Sequence, residues 1–210
     1  MTGSFFSIEW GYCVEKKGES LPLVEQVHGN EILQLDKPRP LKDSAAVVPQ
    51  ADGVIAQYSK AQVHVYTADC LPILFFTEEP DGPIAAIHAG WKGVRKGIVQ
   101  KAYQELSGFK NLHVLIGPAI GSCCFAVRED FIHEWEEANL SPHNFLTRKN
   151  NRDYFNLLSY VTQEALAALP QSQIHLDWFR CTVCSHPSLP SFRRNKSANP
   201  RIRTWIRKTT

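Results

Sequence analysis

Short apolar runs, broken every few residues by turn formers, dominate the chain and predict more strand than helix. Eight runs read as strands, at residues 31–35, 53–57, 62–66, 73–76, 84–89, 112–116, 174–179 and 203–206. Each is rich in branched or aromatic side chains and bounded by Gly, Pro, Asp or Asn. Three segments carry the helical period instead. Over residues 93–107, Val94, Ile98, Ala102 and Leu106 recur every four positions, and Gly108 is a natural stop. Phe131, Trp135 and Ala138 share a face over 129–139. Leu158, Val161, Ala165 and Leu169 do the same over 156–169, where Pro170 ends the run. Strands come first and helices are interspersed with later strands. The pattern therefore predicts an α+β fold, with mixed sheets flanked by helices in α/β/β/α-like layers, over strict βαβ alternation. Residues 1–210 read as one domain. Pro38, Pro40 and Pro49 punctuate a loop between the first strands.

Composition narrows the class. Apolar residues make up 43% and charged residues 21% of the 210, an ordinary globular balance with enough apolar content for a substantial core. The net charge of +2, with both signs mixed, gives no electrostatic reason to expect nucleic acid or a membrane as partner. No apolar run approaches the roughly 18 residues of a membrane span, and the first ten residues do not resemble a secretory signal. One stretch is locally basic: Arg193, Arg194, Lys196, Arg201, Arg203, Arg207 and Lys208 follow one another without an acidic residue. It reads either as a solvated basic tail or as an anion site. The six cysteines, two adjacent and two in a CxxC, are too few for a disulfide scaffold of this length. Their spacing suggests reduced thiols or metal chemistry, and a cytoplasmic protein is the expectation.

Three segments place metal-competent side chains at strand ends beside glycine or proline turns. They are Gln26-Val27-His28-Gly29, Thr67-Ala68-Asp69-Cys70-Leu71-Pro72 and Ile87-His88-Ala89-Gly90-Trp91-Lys92-Gly93. A buried strand has little reason to end in a histidine or a thiol. The spacing alone matches no compact zinc-finger pattern, since His28 and Cys70 lie 42 residues apart and Cys70 and His88 lie 18 apart. Taken singly, each residue reads first as a hydrogen-bonded core position.

Taken together, QVHG, ADG, TADCLPILF, AAIHAGWKG, IGPAIGSCCFAV and CT…FRRN resemble the YfiH-like family, also described as a multicopper polyphenol oxidase (laccase) domain. The likeness runs from about Val24 to Ile206 with the motifs in family order. It implies a metal site formed by His28, Cys70 and His88, with zinc as the ion and copper able to take its place. One thiolate and two imidazoles leave a fourth tetrahedral position, the mark of catalytic rather than structural zinc. Such an ion would hold Cys70 deprotonated and acidify a bound water. Asp69 then reads as a partner that orients a ligand or as a general base, or else as a turn-forming or capping Asp. Three departures touch substrate contacts. Glu9–Cys13 stands where the family has an Arg-x-Gly-Gly-like turn, Lys92 stands where an arginine is usual, and the ending lacks Thr-Gly-Arg.

The resemblance implies phosphorolysis of purine nucleosides (adenosine, inosine, guanosine, methylthioadenosine) with adenosine deamination as a second activity. Purine nucleosides and phosphate are then the partners, and Arg193, Arg194 or Lys92 the phosphate-binding cations. Two other enzymes compete. A cysteine hydrolase of the amidase type, acting on peptidoglycan precursors, would use Cys70 and His88 as a thiolate–imidazole pair. A copper-dependent polyphenol oxidase fares worse: the eight histidines include no His-x-His pair, and the one methionine is Met1. The CxxC at Cys181 and Cys184 reads as a structural turn, Cys123-Cys124 as small-residue packing near the pocket, and His64, His113 and His175 as polar strand positions.

Overall fold

A computed structural model describes residues 1–5, 7–39, 47–170 and 173–209, so Pro40 of the proline-marked loop lies outside the described residues. The centre of the molecule is a six-stranded mixed sheet. Its order is β12 (Ile174–His175), β8 (Leu112–Ile116), β6 (Leu71–Thr77), β7 (Ile84–Ala89), β4 (Gly53–Ala56), β3 (Ile32–Leu35). The outer pairs β12–β8 and β3–β4 are parallel, and the inner pairs are antiparallel. Every residue of β6, β7 and β8 is buried, which explains why these strands read as continuous apolar runs rather than alternating ones.

The two-residue period still decides what each face meets. From β6, Ile73 and Phe75 join Ile87, Val114 and Ile116 in a core shared with the helices. The intervening Leu74 and Phe76 join Val63, Val65 and Ile206 in a second core, under a four-stranded antiparallel sheet. That sheet runs β1 (Thr2–Phe5), β2 (Ile8–Glu15), β13 (Arg201–Lys208), β5 (Gln62–Thr67). A third, small sheet of β9 (Ala126–Val127), β10 (Leu146–Lys149) and β11 (Arg152–Phe155) edges the helical side. The fold is α+β. Among the described residues no helix is long and apolar enough to cross a membrane.

Three departures from the expected elements have local causes. The helix read over 93–107 is two, α1 (Trp91–Arg95) and α2 (Ile98–Leu106), because Gly97 takes φ +84°, where the helical ladder cannot continue. Residues 129–139 do form a helix, α3 (Glu129–Glu137). The segment 156–169 starts as α4 (Leu157–Tyr160) and widens into a π-turn, Val161–Ala165. The basic stretch beyond Arg201 is no solvated tail. It is the inner strand β13, which alternates buried Ile202, Thr204, Ile206 and Lys208 with half-buried Arg201, Arg203 and Trp205 and exposed Arg207. Arg203 and Arg207 meet Glu15 and Glu9 of β2 at 3.3 and 2.5 Å. His113 on β8 bonds His175 of β12 at 3.1 Å and Glu78, just past β6, at 3.0 Å.

Candidate active site

The QVHG segment folds around a single carboxylate. His28 sits at φ +60°, so its backbone turns in the left-handed region and three successive N–H groups converge. Val27 and Gly29 donate to Asp52 Oδ2 at 3.2 and 2.6 Å, and His28 donates to Oδ1 at 2.9 Å. Asp52 immediately precedes β4 and has no solvent exposure. Its fourth partner is His88 of β7, whose Nδ1 lies 2.7 Å from Oδ1. With Nδ1 bonded there, Nε2 is the ring's remaining donor atom, the arrangement that fixes tautomer and orientation in metal-binding histidines.

Cys70 comes from the turn between β5 and β6, where Asp69 adopts φ +96°. Its Sγ lies 3.9 Å from His28 Nε2. The His28 and His88 rings meet edge to face with centroids 4.8 Å apart. The donor atoms of His28, Cys70 and His88 all lie within 4.8 Å of one another. Gly90 makes this approach feasible: a Cβ there would stand 3.0 Å from both Cys70 Sγ and His28 Cδ2. The three motifs thus meet at one point, His28 from a bend ahead of β3 rather than from a strand end.

Charge reinforces the geometry. Burial pushes the Cys70 thiol up, but His88 beside it and the His28 hydrogen bond outweigh burial and bring it down to about 6. Burial pushes His88 down, and the Cys70 thiolate together with the Asp52 bond carries it up to about 9. Asp52 would rise on burial, yet the His88 bond and the Gly29 and His28 N–H groups hold it below the ordinary carboxylate range. These shifts favour the thiolate of Cys70, the imidazolium of His88 and the carboxylate of Asp52. The donors, one soft thiolate and two imidazoles, are a set that zinc accepts.

These residues stand in one wall of a cavity of about 600 Å³. Trp91, Phe125 and Tyr66 provide aromatic lining, and Lys92, Arg193, Lys196 and Arg201 provide positive charge. Lys92 stands over the Trp91 ring, 5.4 Å from its centroid, and Arg201 over Tyr66 at 5.8 Å. Arg193 lies in the short helix α5 (Phe192–Asn195) and donates to the Ala126 carbonyl at 2.9 Å. Arg194 faces elsewhere. Its guanidinium bonds the carbonyls of Thr182, Val183, Pro187 and Leu189 and the side chain of Asn195, so it braces a loop and is absent from the cavity lining. Asp69 takes the capping role: Oδ2 accepts Arg193 N–H at 2.6 Å and Oδ1 accepts the Thr182 hydroxyl at 2.6 Å.

Asp52 escapes a reading of the sequence, because in the ADG motif it resembles any turn-forming Asp-Gly. Lys196, just past α5, and Arg201, which opens β13, belong to the basic stretch that read as a tail or an anion site, and both line the cavity. A larger cleft of about 680 Å³ adjoins through Gln26, Tyr66 and Arg201.

The chain is similar to several known proteins. The family model described as multi-copper polyphenol oxidoreductase laccase matches residues 13–208. A purine nucleoside phosphorylase from Aquifex aeolicus (strain VF5) is 33% identical over 183 residues, 85% of this chain and 79% of that protein. The adenosine deaminase RL5, from an unknown prokaryotic organism, is 23% identical over 84% of this chain and 70% of its own length. The crystal structure of YlmD from Geobacillus stearothermophilus matches with a TM-score of 0.75 at 28% identity, covering 90% of this chain and 74% of that one.

Proposed function

The chain belongs to the multi-copper polyphenol oxidoreductase laccase family, and from that premise we propose that it is a zinc-dependent purine nucleoside phosphorylase that also deaminates adenosine. The observation that carries this reading is the convergence of His28, Cys70 and His88 on one wall of a cavity bearing aromatic rings and four cations. Relatives named purine nucleoside phosphorylase and adenosine deaminase support the substrate class, here adenosine, inosine, guanosine and methylthioadenosine.

His28 and His88 through ring nitrogen, and Cys70 through sulfur, are the ligands in this reading. Bound zinc supplies Lewis acidity and a water that ionises near neutrality, which is what deamination at purine C6 requires. Asp52 keeps His88 in one tautomer. Lys92, Arg193, Lys196 and Arg201 hold phosphate, and Trp91, Phe125 and Tyr66 flank the base. In phosphorolysis a phosphate oxygen bonds to ribose C1′ as the bond from C1′ to the purine nitrogen breaks, and the departing base takes up a proton. Asp69 keeps α5, and with it Arg193, against the turn that carries Cys70.

Copper could occupy the same donors, but the axial methionine of a blue-copper site is missing from the cavity lining. Met1, the one methionine, is exposed in the N-terminal hairpin.

Adenosine incubated with enzyme, with and without phosphate, tests the proposal when adenine, ribose-1-phosphate and inosine are followed separately. Adenine formed only with phosphate, and inosine formation abolished by a chelator, are the expected results. Absence of all three products overturns the reading. A second reading draws on the Cys70–His88–Asp52 chain, which has the order of a thiolate–imidazole–carboxylate triad. Under it, Cys70 becomes acylated by a peptide or peptidoglycan-precursor amide, and chelation leaves the rate unchanged.

A further inference from the structure

On two turns outside the set of His28, Cys70 and His88, four more thiols meet. The Sγ atoms of Cys123, Cys124, Cys181 and Cys184 all lie within 4.8 Å of one another, and those of Cys123 and Cys184 are 3.4 Å apart. All four are free thiols. Backbone bonds fix both turns. Cys124 and Phe125 donate to the Gly121 carbonyl at 2.9 and 3.0 Å, and Ser185 donates to the Cys181 carbonyl at 3.0 Å. A parallel bridge between Ala119 and Cys181 locks one turn to the other. In sequence the two pairs stand nearly sixty residues apart, and the fold brings them together.

We propose that Cys123, Cys124, Cys181 and Cys184 form a second metal site, which takes one soft divalent ion of the zinc class as a closed tetrathiolate. A tetrahedral ion with sulfurs at about 2.3 Å sets them about 3.8 Å apart, the spacing these four already approach. A disulfide needs two sulfurs at about 2.05 Å and leaves the other two without a role. Backbone donors serve one of the four sulfurs. Gly121 N–H donates to Cys181 Sγ at 3.3 Å, and the N–H groups of Val183 and Cys184 face the same sulfur. Arg194 bonds the Thr182 and Val183 carbonyls of this turn at 2.9 and 3.0 Å, which holds the turn between Cys181 and Cys184 in shape. Cys123 and Cys184 are exposed, so an ion can reach the site from solvent, and the thiol protons leave to solvent on binding.

Four protein ligands leave no open position, so the ion is structural rather than catalytic. It staples the loop that bears Ile120 and Phe125 to the segment that leads into Arg193, and all three of these residues line the cavity. The site stands independently of the reaction proposed above.

Metal analysis of protein purified under reducing conditions separates the two sites. Wild type should carry two zinc ions per chain, the paired variant His28→Ala/Cys70→Ala one, and Cys181→Ser/Cys184→Ser one. Cobalt loaded into His28→Ala/Cys70→Ala should give the intense thiolate-to-metal charge-transfer and visible bands of tetrahedral tetrathiolate cobalt. Should the double-serine variant fail to fold, that cobalt spectrum and the wild-type stoichiometry decide the matter. A folded His28→Ala/Cys70→Ala protein devoid of metal overturns the proposal. So does a Cys123–Cys184 disulfide in freshly isolated protein, or iron with acid-labile sulfide in place of a single ion.

Discussion

Asp52 carries four hydrogen bonds at once, three from backbone N–H groups of residues 27–29 and one from His88. A carboxylate can accept them all, whereas an amide must turn its NH₂ toward a donor. Asp52→Asn is therefore expected to weaken metal binding roughly 10–100-fold, measured by competition with a chromophoric chelator. Stability should fall by about 1–3 kcal/mol from the stranded donor. Gly90→Ala probes the same site from the other side. Its methyl would stand 3.0 Å from Cys70 Sγ and His28 Cδ2, so chelator competition should record a larger loss than the thermal melt. His28, Cys70 and His88 stood out singly in the sequence as metal-competent side chains beside glycine and proline turns, but it was the family resemblance, not their spacing, that joined them into one set. Asp52 was not legible, because its meaning lies in contacts with residues 23 to 36 positions away.

Among the strands, β7 and β8 match their apolar runs residue for residue, since burial on both faces leaves a continuous signal. β2 left no such trace: its burial pattern follows neither a clean alternation nor a solid run. On β5, His64 is almost fully buried against Tyr66. Burial, and then the charge of Arg203, push it down to about 4, against about 6.5 in an unfolded chain. A histidine with a depressed folded pKa takes its proton more readily when unfolded, so stability declines as pH falls from about 6.5 to about 4 and levels off below. The decline should reach about 3 kcal/mol. Urea unfolding of wild type and His64→Leu across that range should show the slope in wild type and its loss in the variant. The loop after Cys181 offers another test. Arg194 serves five acceptors with a planar fork, which a single ammonium cannot copy. Arg194→Ala should cost about 2 kcal/mol by denaturant titration, and Arg194→Lys should recover little of it.

At the scale of the whole molecule, the sheets enclose one core and the six-stranded sheet and helices enclose the other. The later-made β13 lies between β2 and β5, with Lys208 opposite Ile8 and Arg207 opposite Gln62. During synthesis the ribosome releases this strand after every other strand of its sheet. Until then β2 and β5 hold open edges with no strand between them, and the apolar face destined for Ile206 stays wet. The nascent chain therefore passes through a stage in which the helical half is able to consolidate while the four-stranded half waits. Pairing across so long a chain separation makes its closure slow. A chain ending before Arg201 should bind a hydrophobic dye strongly and aggregate on warming, and Arg201 would be missing from the cavity. If that shorter chain melts cooperatively and stays dark with the dye, β13 is an accessory to the fold rather than its closing step.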